Sequence, residues 1–136
     1  MPKRRARPTV ASAAVYDTGA LVAAERNDRR IWKIHKAMLR NKNKPIVPVV
    51  VVAQAWRGGP QASLSRLLRG CRIEPDDEAI GRAAGTACGA AGTADVVDAI
   101  VVVTALNRGA AVYSSDPDDL KHIANSINRK LTVVPV

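Results

Sequence analysis

Phe is absent from this sequence, and two Trp and two Tyr are all it has of the other large aromatics. The core must therefore be built from Val, Ala, Leu and Ile. Cysteine is equally sparse. Cys71 and Cys88 make neither a disulfide framework nor a metal-ligand spacing, and read as small core or near-surface residues in a reducing compartment. No apolar run approaches the ~20 residues of a membrane-spanning helix, which argues against a membrane partner. There is no glycine-rich phosphate loop, no internal repeat and no interdomain linker. Acids are in short supply: 12 Asp and Glu face 21 Lys and Arg, mostly Arg, for a net charge of +9. A balance so basic favours polyanions such as nucleic acid, or an acidic protein partner, over the bland alternative of a merely soluble surface.

What is present suffices for one globular domain. The chain has 136 residues, 47% of them hydrophobic, enough for a real core. Lys3-Arg4-Arg5-Ala6-Arg7 and the residues after it imitate a signal peptide, but Asp17 cuts the apolar run short. The expectation is a basic arm over residues 1–12, a single domain over 13–136, and a cytoplasmic protein.

Short apolar runs alternate with helical patterns. Strands are predicted at Ala13–Tyr16, Pro45–Pro48, Cys71–Glu74, Ala110–Tyr113 and Leu131–Val134. Between them, helices are predicted over Ala20–Glu25, from Asp28 to about Lys42, Val49–Arg57, Gln61–Arg69, from Pro75 to about Gly92, Thr93–Gly109, and from Asp116 to about Ile123. The second helix buries Ile31, Ile34 and Met38. Its other face carries Arg29, Arg30, Lys33, Lys36 and Arg40, read first as a solvated face and second as one that could meet RNA. Trp32 and Trp56 are core or interface residues. The alternation predicts an α/β fold, three layers α/β/α around a mainly parallel sheet.

The helix Thr93–Gly109 stands apart. It is apolar on nearly every face, yet it carries Asp95 and Asp98 three residues apart, on one side. Asp95 suits the first turn after a Thr93 N-cap. Asp98 lies deeper, where an unpaired charge is costly, so it pairs with a base or serves a cation. Asp17 ends the first strand, and Asp116 follows the fourth. In open parallel sheets, sites form at the carboxyl ends of strands. If those strands are neighbours, Asp17, Asp95, Asp98 and Asp116 converge on one rim. Such a set repels itself unless a cation is bound, and its oxygens suit Mg²⁺ or Mn²⁺. Each acid taken singly has a bland role: Asp17 as a turn residue, and Asp116 as an N-cap before Pro117.

Three segments resemble one family in order and spacing. Val15-Tyr16-Asp17-Thr18-Gly19-Ala20-Leu21 looks like the opening of a PIN domain. Asp98-Ala99-Ile100-Val101-Val102-Val103-Thr104-Ala105 resembles its third motif, and Ser114-Ser115-Asp116-Pro117-Asp118-Asp119-Leu120 its fourth. The resemblance runs from residue 13 to 136 and is to the small stand-alone members, the VapC-like toxins of bacterial toxin–antitoxin pairs. It implies a Mg²⁺- or Mn²⁺-dependent ribonuclease restrained by an antitoxin, with pairing into a homodimer common among proteins of this look. Asp17, Asp98 and Asp116 would be the main acids, and Ser114 or Ser115 would assist. One departure matters: Gln54 stands where the second motif usually has a Glu. Asp95 would then replace the missing charge, or Gln54 would suffice with a looser metal site. The other outcome is a catalytically degenerate PIN fold that binds RNA through its basic surface. A response-regulator-like or small phosphatase domain fits less well, because such pockets draw their acids mostly from strand ends and Asp98 lies on a helix.

Overall fold

The computed structural model describes residues 13–136. The expected basic arm, residues 1–12, lies outside the described residues. Five strands form one sheet in the order β3-β2-β1-β4-β5, and every neighbouring pair is parallel. The strands are β1 (Ala14–Tyr16), β2 (Ile46–Pro48), β3 (Arg72–Glu74), β4 (Ala111–Ser114) and β5 (Val133–Pro135). The helices are α1 (Thr18–Glu25), α2 (Arg29–Arg40), α3 (Val49–Ala55), α4 (Ala62–Arg69), α5 (Glu78–Ala91), α6 (Val96–Arg108) and α7 (Pro117–Ser126). No single helix among the described residues is long and apolar enough to cross a membrane.

The order of strands dictates the layers. From β1 the chain steps outward to β2 and β3, then returns past β1 to β4 and β5. Right-handed crossovers put the helices of the two excursions on opposite faces. On one side α1 packs on α2 and α4. On the other, α6 lies across β1, β2 and β4, with α5 and α7 against it. Helix α3 touches both α1 and α6 and so bridges the layers at the carboxyl edge of the sheet. The predicted α/β/α architecture is the observed one.

The core is aliphatic, as the missing Phe requires. Val15, Leu21, Ile31, Val47, Val51, Leu64, Leu67, Val101, Val102 and Val112 are fully buried. The central strands β1 and β2 are buried along their whole length, whereas the edge strands β3 and β5 are partly exposed. The sheet is therefore fully covered only at its middle. A smaller cluster of Ala84, Cys88, Ala99 and Val103 joins α5 to α6. Their short side chains let these helices approach closely. Buried Tyr16 reaches buried His35, with Oη 2.9 Å from Nδ1. Burial holds that imidazole below its ordinary pKa.

Several helix starts differ from expectation, and the reason is capping. Helix α1 begins at Thr18, two residues early, because the Asp17 carboxylate accepts the Ala20 N–H at 3.0 Å. Helix α6 is capped by Asp95 and not by Thr93: its carboxylate accepts the Asp98 N–H at 3.0 Å, while the Thr93 hydroxyl accepts the Asp95 N–H at 3.1 Å. Thr and Asp are both good caps, and the pair forms a relay.

Candidate active site

The point where the strand order reverses lies between β1 and β4, the position at which doubly wound sheets place ligands. Tyr16 pairs with Tyr113, so Asp17 and Ser114 emerge side by side from the carboxyl edge. Helix α6 runs back antiparallel to β4 and brings its first turn to the same edge. Helix α7 starts there too, straight after Asp116.

Asp17 is 6% exposed. Burial pushes its carboxyl above the ordinary range. The Ser114 hydroxyl and the N–H groups of Ala20 and Gly19 oppose that shift, and the charge of Asp116 adds to it. Ser114 is fully buried and has a second task, since its Oγ accepts the Asp116 N–H at 2.8 Å. One hydroxyl thus ties the end of β1 to the start of α7. Ser115 is exposed and lies tight against Gly19.

Asp98 is half-buried at the start of α6. Its pKa is pushed up to about 7, first by burial, then by the charge and the shared hydrogen bond of Asp95, then by the charges of Asp17 and Asp119. Asp116 is exposed and also raised, chiefly by a hydrogen bond shared with the Asp119 carboxyl. Two carboxyls can share such a bond only while one keeps its proton. The sequence left open whether Asp98 meets a base. Among the described residues the ion pairs are Arg82–Glu78 and Arg108–Glu74, and neither touches this rim. Five of the chain's twelve acids are therefore neighbours here with no basic partner among the described residues.

The sequence-predicted residues fall into place unequally. Asp17, Asp98 and Asp116 meet at one edge with Ser114 between two of them. Asp95 stands beside Asp98, exposed and engaged as a cap. Gln54 is exposed on α3, and its Oε1 accepts the hydroxyl of Thr18, the residue after Asp17. Asp119 belongs to the segment that resembles the fourth motif but is not among the site acids named from the sequence. Its side chain shares a hydrogen bond with Asp116, and its charge acts on Asp98. The i, i+3 spacing of Asp116 and Asp119 was the available signal. Thr93, Asp95, Asp98, Asp119, His122 and Ile123 line a pocket of about 120 Å³. The His122 Nε2 is 2.9 Å from the Ala91 carbonyl oxygen and ties α7 to the end of α5.

The donors fit a hard divalent cation in kind: they are carboxylate and hydroxyl oxygens that lack a counter-charge among the described residues. Among the described residues no three His, Cys, Asp or Glu side chains are grouped closely enough to hold a metal ion as they stand. The acids are neighbours, each raising the charge cost of the next, and not a finished cage.

No protein-family model matches the chain, and no curated protein does. Solved structures do. The structure of VapBC2 from Rickettsia felis, bound to a DNA fragment from their promoter, matches with a TM-score of 0.70 at 15% identity, over 91% of this chain and 98% of that one. PAE2754 from Pyrobaculum aerophilum matches with a TM-score of 0.63 at 13% identity, over 90% of this chain and 83% of that one. Identities so low speak for the backbone arrangement alone: the chain has the fold of a VapC-like PIN domain.

Proposed function

We propose that the chain is a divalent-metal-dependent ribonuclease, a toxin-type enzyme restrained by a cognate antitoxin. One observation carries this reading. Asp17, Asp98, Asp116 and Asp119 converge at the switch point of the sheet with no basic partner among the described residues, although the protein as a whole is strongly basic. Concentrated negative charge without a counter-ion is costly unless a cation belongs there.

Asp17, Asp98 and Asp116 would hold Mg²⁺ or Mn²⁺, with Asp119 beside them. When bound, the ion activates water and neutralises charge building on the phosphate under in-line attack. The chain's own groups prepare that chemistry. Ser114 keeps the Asp17 carboxylate and the α7 N-terminus in register. Asp95 fixes the first turn of α6, and with it the backbone that carries Asp98. Thr18 and Gln54 close one side with neutral oxygens. The Glu charge that Gln54 lacks is supplied by Asp95 and Asp119, both of which act on Asp98. An antitoxin fits the relatedness to a VapBC assembly, and a homodimer fits the small stand-alone form.

The test is RNA cleavage by the purified full chain with millimolar Mn²⁺. Cleavage that stops with chelator and is lost in a folded Asp98→Asn variant supports the proposal. A folded protein that leaves every RNA pool intact at that Mn²⁺ level sinks it. The neutral Gln54 favours a second reading, a degenerate fold that only binds RNA. That reading expects salt-sensitive binding indifferent to divalent metal, with no cleavage.

A further inference from the structure

We infer that the concavity between α2 and α4 is a separate binding site for a single-stranded RNA segment, built from the basic stripe of α2 and a stacked Trp32–Arg66 pair. This rests on the ribonuclease reading for its ligand, but not for its geometry. A cleft of about 580 Å³ is lined by Asn27, Arg29, Trp32, Lys33, Lys36 and Arg66. Four of those six side chains are cationic, and they come from two helices far apart in sequence.

The stripe is set by helical spacing. Arg29, Lys33 and Lys36 follow one another at intervals of four and three on α2, and so project on one side. The opposite side of the helix buries Ile31, His35 and Met38. Like charges at such spacing repel, and acids interleaved with them would normally relieve the repulsion. None does so among the described residues. The nearest acids in sequence are occupied: Asp28 accepts the Arg30 N–H at 2.8 Å as the cap of α2, and Glu25 accepts from the Gln61 amide at 3.0 Å. The first twelve residues contain no Asp or Glu to fill the gap.

Trp32 gives the cleft a rigid floor. Its indole N–H donates to the Ala24 carbonyl at 3.0 Å, and the His35 ring meets it edge-on with centroids 5.7 Å apart. The Arg66 guanidinium lies over the ring at 4.5 Å from its centroid. A planar cation already stacked on an aromatic ring offers its outer face to a base and its N–H groups to phosphate. This combination of a phosphate-tracking stripe with a stacking platform suits single-stranded nucleic acid better than an acidic peptide, which has no base to stack.

The cleft lies one short helix away from the acids. Helix α1 is capped by Asp17 and ends next to Trp32, and its eight residues span about 12 Å at ~1.5 Å each.

The test uses the full chain, a fluorescent single-stranded oligoribonucleotide and chelator, so that binding is read without cleavage. Affinity is measured against salt for the native chain, for an Arg29→Gln/Lys33→Gln/Lys36→Gln variant, for Arg66→Gln, and for Arg129→Gln as a remote control, each checked for folding by its melting curve. The triple variant is expected to bind at least tenfold more weakly, with a salt slope reduced by about 2, from ~0.7 per lost contact on single strands. Arg66→Gln should bind several-fold more weakly, and Arg129→Gln should stay within twofold. An unchanged affinity and slope in the folded triple variant overturns the site. So does a polyglutamate competitor whose binding falls in the variants while RNA binding does not. Because chelator is present throughout, a chain that never cleaves RNA still supports the site if the triple variant loses binding.

Discussion

The carboxylate of Asp95 accepts the backbone N–H of Asp98 at 3.0 Å, and its charge, after burial, is the largest influence raising the Asp98 side chain. One acid thus fixes the position of another while making its ionisation harder. The arrangement is tolerable only if something else compensates the Asp98 charge, and this has a consequence that pH can expose.

With its folded pKa near 7 and its ordinary value at 3.8, Asp98 binds a proton more tightly in the folded state. Between those values the folded chain holds more protons than the unfolded one, so stability falls as pH rises through that window. The expected melting temperature in chelator therefore drops from pH 4 to pH 7.5. Asp98→Asn should flatten most of this slope and melt higher than the native chain at pH 7.5. Added Mn²⁺ should raise the native melting temperature at pH 7.5 and leave that of the variant nearly unchanged. Circular dichroism melts across the pH series decide the matter, and a flat native profile would contradict it.

Asp118 and Asp119 are adjacent exposed acids in the same helical turn, but only Asp119 is drawn into the rim. Asp119→Asn is expected to cut metal-supported cleavage by about 10-fold or more, in line with the loss of an outer-shell partner. Asp118→Asn should leave the rate within about twofold, a change too small to register as a lost interaction in the transition state. Single-turnover rates for the two variants separate a general effect of charge from a positional one.

Gly19 has no side chain because Ser115 occupies the space. A Cβ there would lie 2.1 Å from the Ser115 Oγ, 3.0 Å from its Cβ and 3.1 Å from its backbone nitrogen. The hydroxyl can rotate away, but the nitrogen cannot, so the link between β4 and α7 must shift. Gly19→Ala should cost about 1–3 kcal/mol by overpacking. Cleavage should fall by more than stability does, because Asp17 and Asp116 flank the contact. Adding Ser115→Gly should recover part of the stability, as denaturant titration of the single and double variants would reveal.

Thr104 is buried in α6 at 4% exposure, and its hydroxyl has no hydrogen-bond partner among the described residues. A buried unsatisfied hydroxyl costs about 1–3 kcal/mol. Thr104→Val keeps the shape and removes the polar atom, so the variant should be as stable as the native chain or more so by urea titration. A clear loss of stability would mean that the hydroxyl has a partner.

Much of this was legible in advance. The run Val101–Ala105 reads as buried helix, Val47–Val52 divides after Pro48 into the end of a strand and the start of a helix, and the alternation of such elements implies parallel crossovers. Topology then brought Asp17, Asp98 and Asp116 together before any coordinate did. What resisted was local. Thr93 and Asp95 are both sound caps, and only the backbone decides which carboxylate or hydroxyl takes which N–H. Asp119 looked like an ordinary acid in a first helical turn, since the pairing that reveals its role depends on the distance between α6 and α7. The Trp32–Arg66 stack joins residues more than thirty positions apart, and no periodicity within either helix foretells it.

The pairing of β1 with β4 sets a timing rule for synthesis. Asp17 leaves the ribosome early, whereas Ser114 and Asp116, which complete its surroundings, follow only after β2, β3 and six helices have been made. Docking of β4 is a long-range event that must wait for nearly the whole chain. A nascent or prematurely terminated chain thus displays Asp17 without the acids that would give it meaning. If the chain is the ribonuclease proposed above, the order of the strands withholds its site until synthesis is nearly complete.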